Sequence, residues 1–511
     1  VMESFKIPYS STNHFSKLVI DYLNEGLQLK PFISHFPSLE NFEKQIAEKK
    51  NHKINRKTLV EVLRQQNSNL SLSGQSKRNI KSLLSENTFS ITTGHQLCLF
   101  TGPLYFIYKI ISSLNLSQQL KKKYPKSNFI PIFWMATEDH DFQEVNHINL
   151  FGEKIAWNSK QSGPVGHMNP EGIQEVLDEL KVILGESKNV QQLIQLFENS
   201  YLKHSSLADA TRYLVNELFG KYGLLIIDGN DKHLKEQSLQ IIKKDILENG
   251  FVKLIQECSN ELVKNYKVQA HVRDINFFKL SHEKRELIKG GVTANEIEEE
   301  PEKFSPNVLI RPLYQESILP NIAYIGGGAE VAYWMQLKMV FKQEKMPFPI
   351  LILRNSVMLI STKQLQRIVD LGFVLEDLFL EEIKLHKQYI QMQTSSISLE
   401  KELEKINRIF DSILGRTVDK NLQSTIKAEK QKQLKSLQKL EKKLLKSEKR
   451  KHEIALQKIS KLKKNLFPNN SLQERFDNFI PFYLKHGENF IEILLEELNP
   501  LAANFVILPL Q

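Results

Sequence analysis

Five short apolar runs, each closing on glycine or on a cluster of polar residues, constrain this chain more than any other feature. Residues 89–93 lead into Gly94-His95-Gln96, residues 128–134 into Ala136-Thr137-Glu138-Asp139-His140-Asp141, and residues 223–227 into Asp228-Gly229-Asn230-Asp231. Residues 321–325 lead into Gly326-Gly327-Gly328, and residues 349–353 into Arg354-Asn355-Ser356. Helical patterns fill the gaps, as over 103–123, where Tyr105, Ile107, Ile110, Ile111, Leu114 and Leu120 form an apolar stripe before a Lys121-Lys122-Lys123 close. Strands alternating with helices predict an α/β fold, a doubly wound parallel sheet. Ligands of such sheets sit outside the carboxyl ends of the strands, so the polar and glycine clusters are expected to converge on one site.

The chain has 511 residues, 41% apolar and 25% charged, which excludes a disordered or collagen-like polymer and leaves room for two to four structural units. Its two cysteines, Cys98 and Cys258, cannot make a disulfide framework and suit a reducing compartment. No apolar run reaches the ~18 residues of a membrane span, and Val1 to Ser10 lacks the order of a signal peptide, so a cytoplasmic protein without membrane contact is expected.

The net charge of +10 is not spread evenly. Residues 427–464 carry 15 Lys and Arg against four Glu, a net +11, which leaves the remainder at −1. Leu399, Leu403, Ile406, Phe410 and Ile413, and later Ala455, Ile459, Leu462 and Leu466, repeat at steps of four and three, a heptad seam. Gly415 is expected to end the first helix, giving a long antiparallel helical hairpin. No aromatic residue interrupts the basic run, so a stacking platform for single-stranded nucleic acid is missing. The predicted organisation is a core over 1–374 with two mostly helical insertions at about 152–212 and 232–301, a coiled-coil hairpin over 375–467, and a segment over 468–511 that returns to the core.

Candidate chemistry follows the strand ends. Gly94 and Gly102 let the backbone approach a ligand, and the free amides of the next helix suit phosphate or carboxylate, although neither a dinucleotide fingerprint nor a Walker loop is present. Glu138, Asp139, His140, Asp141, Glu144, Asn146 and His147 crowd into ten positions. Such a cluster binds an ammonium, serves as a general base or caps a helix; His140, Asp141, Glu144 and His147 are also legitimate zinc or manganese ligands. Arg311, after the strand-like 308–310, and Arg354 suit bidentate capture of carboxylate or phosphate. The triple glycine followed by Ala329-Glu330, with Tyr333 and Trp334, reads as a second anion cradle or as a tight turn. Cys98 reads as a small core residue.

These same residues carry a resemblance. Thr93-Gly94-His95-Gln96, Leu99-Phe100-Thr101-Gly102-Pro103-Leu104-Tyr105, the run from Phe133 through Trp134 to Phe142, Glu144-Val145-Asn146-His147, Phe304-Ser305-Pro306-Asn307, Arg311-Pro312 and Tyr333-Trp334 resemble the BshC family of bacillithiol synthesis, along the whole chain. The resemblance implies a Rossmann-like core and a coiled coil through which members form homodimers. It also implies a ligase that adds L-cysteine to the amine of glucosaminyl-malate in an amide bond. Carboxyl activation by ATP is expected, with Mg accompanying the nucleotide and no metal-ligand set assigned. His95, Glu138, Asp139 and Asp141 are then the expected catalytic residues. The expected substrate-binding set is Gly94, Gln96, Thr101, Gly102, Tyr105, Lys109, Trp134, His140, Asn146, Arg311, Gly326, Gly327, Glu330 and Arg354. Two other classes stay open on the residues alone: a basic coiled-coil adaptor for nucleic acid, and a metal-dependent hydrolase built on the Asp/His/Glu cluster.

Overall fold

The computed structural model describes residues 3–281, 283–393 and 399–510. It divides into two compact units, one made of Glu3–Met358 with Leu472–Leu508 and the other chiefly of Leu359–Ser471. The five apolar runs all become strands of one parallel sheet. In chain order its elements are β1 (Thr88–His95), α1 (Tyr105–Lys123), β2 (Asn128–Met135), β3 (Leu225–Asp228), α2 (Arg311–Ile318), β4 (Asn321–Gly326), α3 (Gly328–Met335) and β5 (Ile350–Leu353). The strand order is β5-β4-β1-β2-β3, with every neighbouring pair parallel. The chain winds one way from β1 to β3 and the other way from β4 to β5, which is the doubly wound fold.

Side chains alternate between two cores because successive strand residues point to opposite faces. Phe89, Ile91, Ile325 and Ile352 pack with Leu116 and Leu120 of α1. Ile130, Ile132, Trp134 and Ile227 pack with Tyr314 and Ile318 of α2. Burial on both faces explains why the strands read as continuous apolar runs rather than alternating ones.

Three local expectations are corrected. Residues 308–310 are a turn, not a strand: Asn307 accepts backbone N–H bonds from Leu309 at 2.9 Å and Ile310 at 3.1 Å, and Pro312 then sits in the first turn of α2. Arg311 therefore opens a helix rather than closing a strand. The stretch 232–301 is not wholly helical, because Phe277–Leu280 and Arg285–Leu287 form an antiparallel pair joined by Phe304–Pro306. Gly415 lies inside the helix Glu400–Arg416, and the chain leaves it at the extended Thr417. That helix and Lys420–Lys451 make the hairpin, tied by Lys430 to Asp411 at 2.7 Å. Among the described residues no helix is long and apolar enough to cross a membrane.

The C-terminal strand Asn504–Leu510 pairs antiparallel with Phe5–Pro8. The segment that leads to it carries Asp477, whose carboxyl is pushed up from 3.8 to about 7 by burial. A raised folded-state pKa favours the protonated form, so this group's stabilisation is complete below the ordinary value of 3.8 and is lost as pH rises through about 7. Thermal unfolding of Asp477→Asn should lose up to about 1.4 kcal/mol per pH unit of downward slope across that window. An unchanged slope contradicts the burial argument.

Candidate functional site

A cavity of about 420 Å³ opens where the winding reverses, between β1 and β4, and it also reaches β2. This is the position at which doubly wound sheets bind ligands. Its floor comes from Gly94, His95, Trp134 and Tyr324, and its walls include Tyr105 and Lys109 of α1, Arg311 of α2 and Tyr333 of α3. Glu138, Asp139, Arg285 and Asn307 complete it.

The local sequence explains how these groups are aimed. Trp134, next to last on β2, is admitted by Gly229: a Cβ there would lie 2.2 Å from the indole Cζ2. The Tyr314 hydroxyl donates to the Gly229 carbonyl at 2.6 Å and its ring meets Trp134 edge-on. Arg311 lies 5.8 Å from the Trp134 ring and 5.5 Å from the Tyr324 ring, and its Nη1 donates to Gln315 Oε1 at 2.8 Å. Among the described residues, its Nη2 is buried and has no hydrogen-bond partner. No carboxylate lies within ion-pair distance of Arg311 among the described residues, whereas every other cation of the cavity has one.

The other charges are committed. Lys109 donates to Glu330 at 2.6 Å and to the Gly94 carbonyl at 2.8 Å. Glu330 also accepts from the Tyr324 hydroxyl and the Gly327 amide, both at 2.7 Å. Its carboxyl is held below the usual range: burial opposes this, but Lys109 and the Gly327 amide outweigh it. Glu138 pairs with Lys235, whose ammonium also donates to the Phe304 carbonyl at 2.7 Å. Asp139 accepts from Gln96 at 2.7 Å and meets Arg285 only at 3.8 Å. Gln96 also reaches Glu144 at 2.7 Å, so one amide ties two carboxylates.

The model for the family described as bacillithiol biosynthesis BshC, N-terminal Rossmann-like domain, matches residues 2–355, and the model for its C-terminal coiled-coil domain matches residues 357–510. The chain belongs to the BshC family. A Flavobacterium johnsoniae relative named "Putative cysteine ligase BshC" is 46% identical, with 98% of this chain and 99% of the relative covered. Relatives of the same name from Cytophaga hutchinsonii, at 37% identity over 98% of this chain and 97% of the relative, and from Bacillus cytotoxicus, at 27% over 93% and 94%, extend the likeness.

Of the residues singled out in the sequence of this BshC-family member, the fold brings together at the cavity Gly94, His95, Gln96, Tyr105, Lys109, Trp134, Glu138, Asp139, Arg311, Glu330 and Tyr333. The rest fall elsewhere. Thr101 and Gly102 form a tight turn pinned by Asn478, which donates to the Phe100 and Gly102 carbonyls at 2.9 and 2.6 Å. Gly102 has φ +64°, and a Cβ there would lie 2.5 Å from Cys98 Cβ, so glycine is needed for packing rather than for a phosphate. Gly326 and Gly327 do not leave an open anion cradle, because the Glu330 carboxylate fills it. Arg354 is spent on Glu474 at 2.8 Å and on the Asn355 carbonyl at 2.9 Å. Asp141 caps the helix Phe142–Val145, and Asn146 donates to the Trp157 carbonyl at 3.2 Å. His140, half-exposed, contacts Arg285 at 3.4 Å. Among the described residues no three His, Cys, Asp or Glu side chains gather as a metal site, so the set His140, Asp141, Glu144 and His147 is not assembled.

Lys235, Arg285, Gln315 and Tyr324 are not singled out by the sequence, and Asn307 enters only as part of a motif. Only Asn307 carries a local signal, as the turn residue that starts α2. Arg285 reaches the cavity from a strand pair whose packing no spacing announces.

His95 lines the cavity as a neutral imidazole. Burial, helped by Lys109, lowers its imidazole to about 3, so it is neutral at ordinary pH and offers no cation to a phosphate. His95→Gln should leave the acid limb of the kcat/KM profile in place, with a loss smaller than the ~100-fold that removal of a general acid–base group costs. A moved limb overturns this.

Proposed function

We propose that this chain is a ligase of bacillithiol synthesis that joins the carboxyl of L-cysteine to the amine of glucosaminyl-malate. The observation that carries the reading is Arg311, a guanidinium at the switch-point cavity with a buried, unpartnered Nη2 and no carboxylate beside it. A buried guanidinium nitrogen without a hydrogen-bond partner is costly, and an anionic substrate would complete it. The malyl group supplies carboxylates, which a planar guanidinium takes in bidentate fashion. Glu138 and Asp139 share the cavity. They suit the substrate's ammonium and the proton that must leave its nitrogen as the new C–N bond forms; Asp139 meets the Arg285 guanidinium only at 3.8 Å, whereas Glu138 is tied to Lys235.

Amide formation from a free carboxylate in water is uphill, so the reading includes ATP as co-substrate, with Mg on its phosphates, to supply carboxyl activation. The exposed apolar residues Ile409, Ile413, Leu422 and Leu440 on the hairpin support a homodimer, and the reading takes the protein as cytoplasmic. The thiol profile of cells lacking the gene tests the pathway. Loss of bacillithiol with accumulation of glucosaminyl-malate is the expected result, and unchanged bacillithiol rejects it.

A further inference from the structure

The cavity's free cation is flanked inside the cavity by the Trp134 and Tyr324 rings, but the hydrogen bond its Nη1 makes leads out of the cavity. Arg311 Nη1 donates to Gln315 Oε1 at 2.8 Å, one turn along α2. Gln315 Nε2 in turn donates to Glu316 Oε1 at 3.0 Å. Glu316 is fixed from two further elements: Asn321 of β4 donates to the same oxygen at 2.7 Å, and Lys49, on the helix Asn41–Lys50, donates to Oε2 at 3.2 Å. Asn321 accepts in its turn from Thr92 of β1 at 2.8 Å. Gln315, Glu316 and Asn321 are all fully buried, and none of them lines the cavity.

We propose that Gln315 and Glu316 are positioning residues for substrate binding: this buried hydrogen-bonded chain fixes the Arg311 guanidinium with Nη1 satisfied and Nη2 left for the substrate's anionic group. The inference rests on the reading of Arg311 given above. Polar groups are expensive to bury, and an apolar residue at position 315 would pack at least as well between sheet and helix. An amide there both accepts from Arg311 and donates to Glu316, so it passes the orientation of the sheet to the guanidinium. A buried network in which every member is bonded holds its side chains in one arrangement. A guanidinium fixed in advance loses less entropy when it takes a planar anion.

The test is a double-mutant cycle on the full chain, with glucosaminyl-malate as the probe in both kinetics and calorimetric binding. Gln315→Met keeps the volume and removes the acceptor. KM for glucosaminyl-malate and its calorimetric Kd should rise about 10- to 100-fold, the value of a hydrogen bond to a charged group, while KM for cysteine stays near that of the parent. Gln315→Asn, polar but one methylene shorter, is the second variant should the first fold poorly, and the same rise is expected. In an Arg311→Lys background, Gln315→Met should add nothing, because the geometry it protects is gone. A structural role alone would lower the thermal midpoint and change the KM values for both substrates alike, by the same factor in either background. An unchanged Kd for a folded Gln315 variant overturns the positioning role. An unchanged Kd for Arg311→Lys overturns the reading beneath it instead.

Discussion

Arg311→Ala should raise KM for glucosaminyl-malate between about 30-fold and a few thousand-fold, the cost of truncating one partner of a buried charged contact. The effect should fall on that substrate and not on cysteine, because Arg311 alone among the cavity's cations has no internal acid to satisfy. Lys109 makes the contrast. It is already neutralised by Glu330, so its removal should act through the fold of the strand ends rather than through one substrate. Steady-state kinetics with each substrate varied in turn separates the two. A uniform loss of kcat in Arg311→Ala, with both KM values unchanged, contradicts the assignment.

The largest stability effect should come from Lys49→Met. The Lys49 and Glu316 side chains are fully enclosed and 3.2 Å apart. Removing the ammonium leaves a buried carboxylate uncompensated, which costs about 3–5 kcal/mol. Burial already pushes the Glu316 carboxyl up against the pull of Lys49, and loss of the lysine would push it further. A raised folded-state pKa gives stability at low pH that is lost as pH rises through it, so the deficit of Lys49→Met should shrink in acid. Urea unfolding at several pH values measures this. A deficit that is small, or that grows as pH falls, contradicts the account.

Much of the fold is legible because parallel strands buried on both faces read as apolar runs, and all five runs became strands of one sheet. The strand-like 308–310 failed for a nameable reason: Val308, Leu309 and Ile310 look like a strand, but Asn307 and Pro312 on either side impose a turn and a helix start. Glycine was the less reliable guide at the site. Gly94 does open on the cavity, whereas Gly102 serves Cys98 and the triple glycine is filled by Glu330. Spacing shows where a backbone can come close to something, but not whether that something is a ligand or the protein's own carboxylate. The same limit applies to Arg354, whose partner Glu474 lies 120 residues away in the returning segment. Lys235 and Arg285 reach the cavity only through tertiary packing.

The central claim is that this cavity joins cysteine to glucosaminyl-malate. Mass spectrometry of a reaction containing purified protein, both substrates and ATP tests it most directly. The account predicts the mass of bacillithiol with the parent protein and its near absence with Arg311→Ala at glucosaminyl-malate levels at or below the parent's KM. No bacillithiol from the folded parent, or equal amounts from the two proteins, would contradict it.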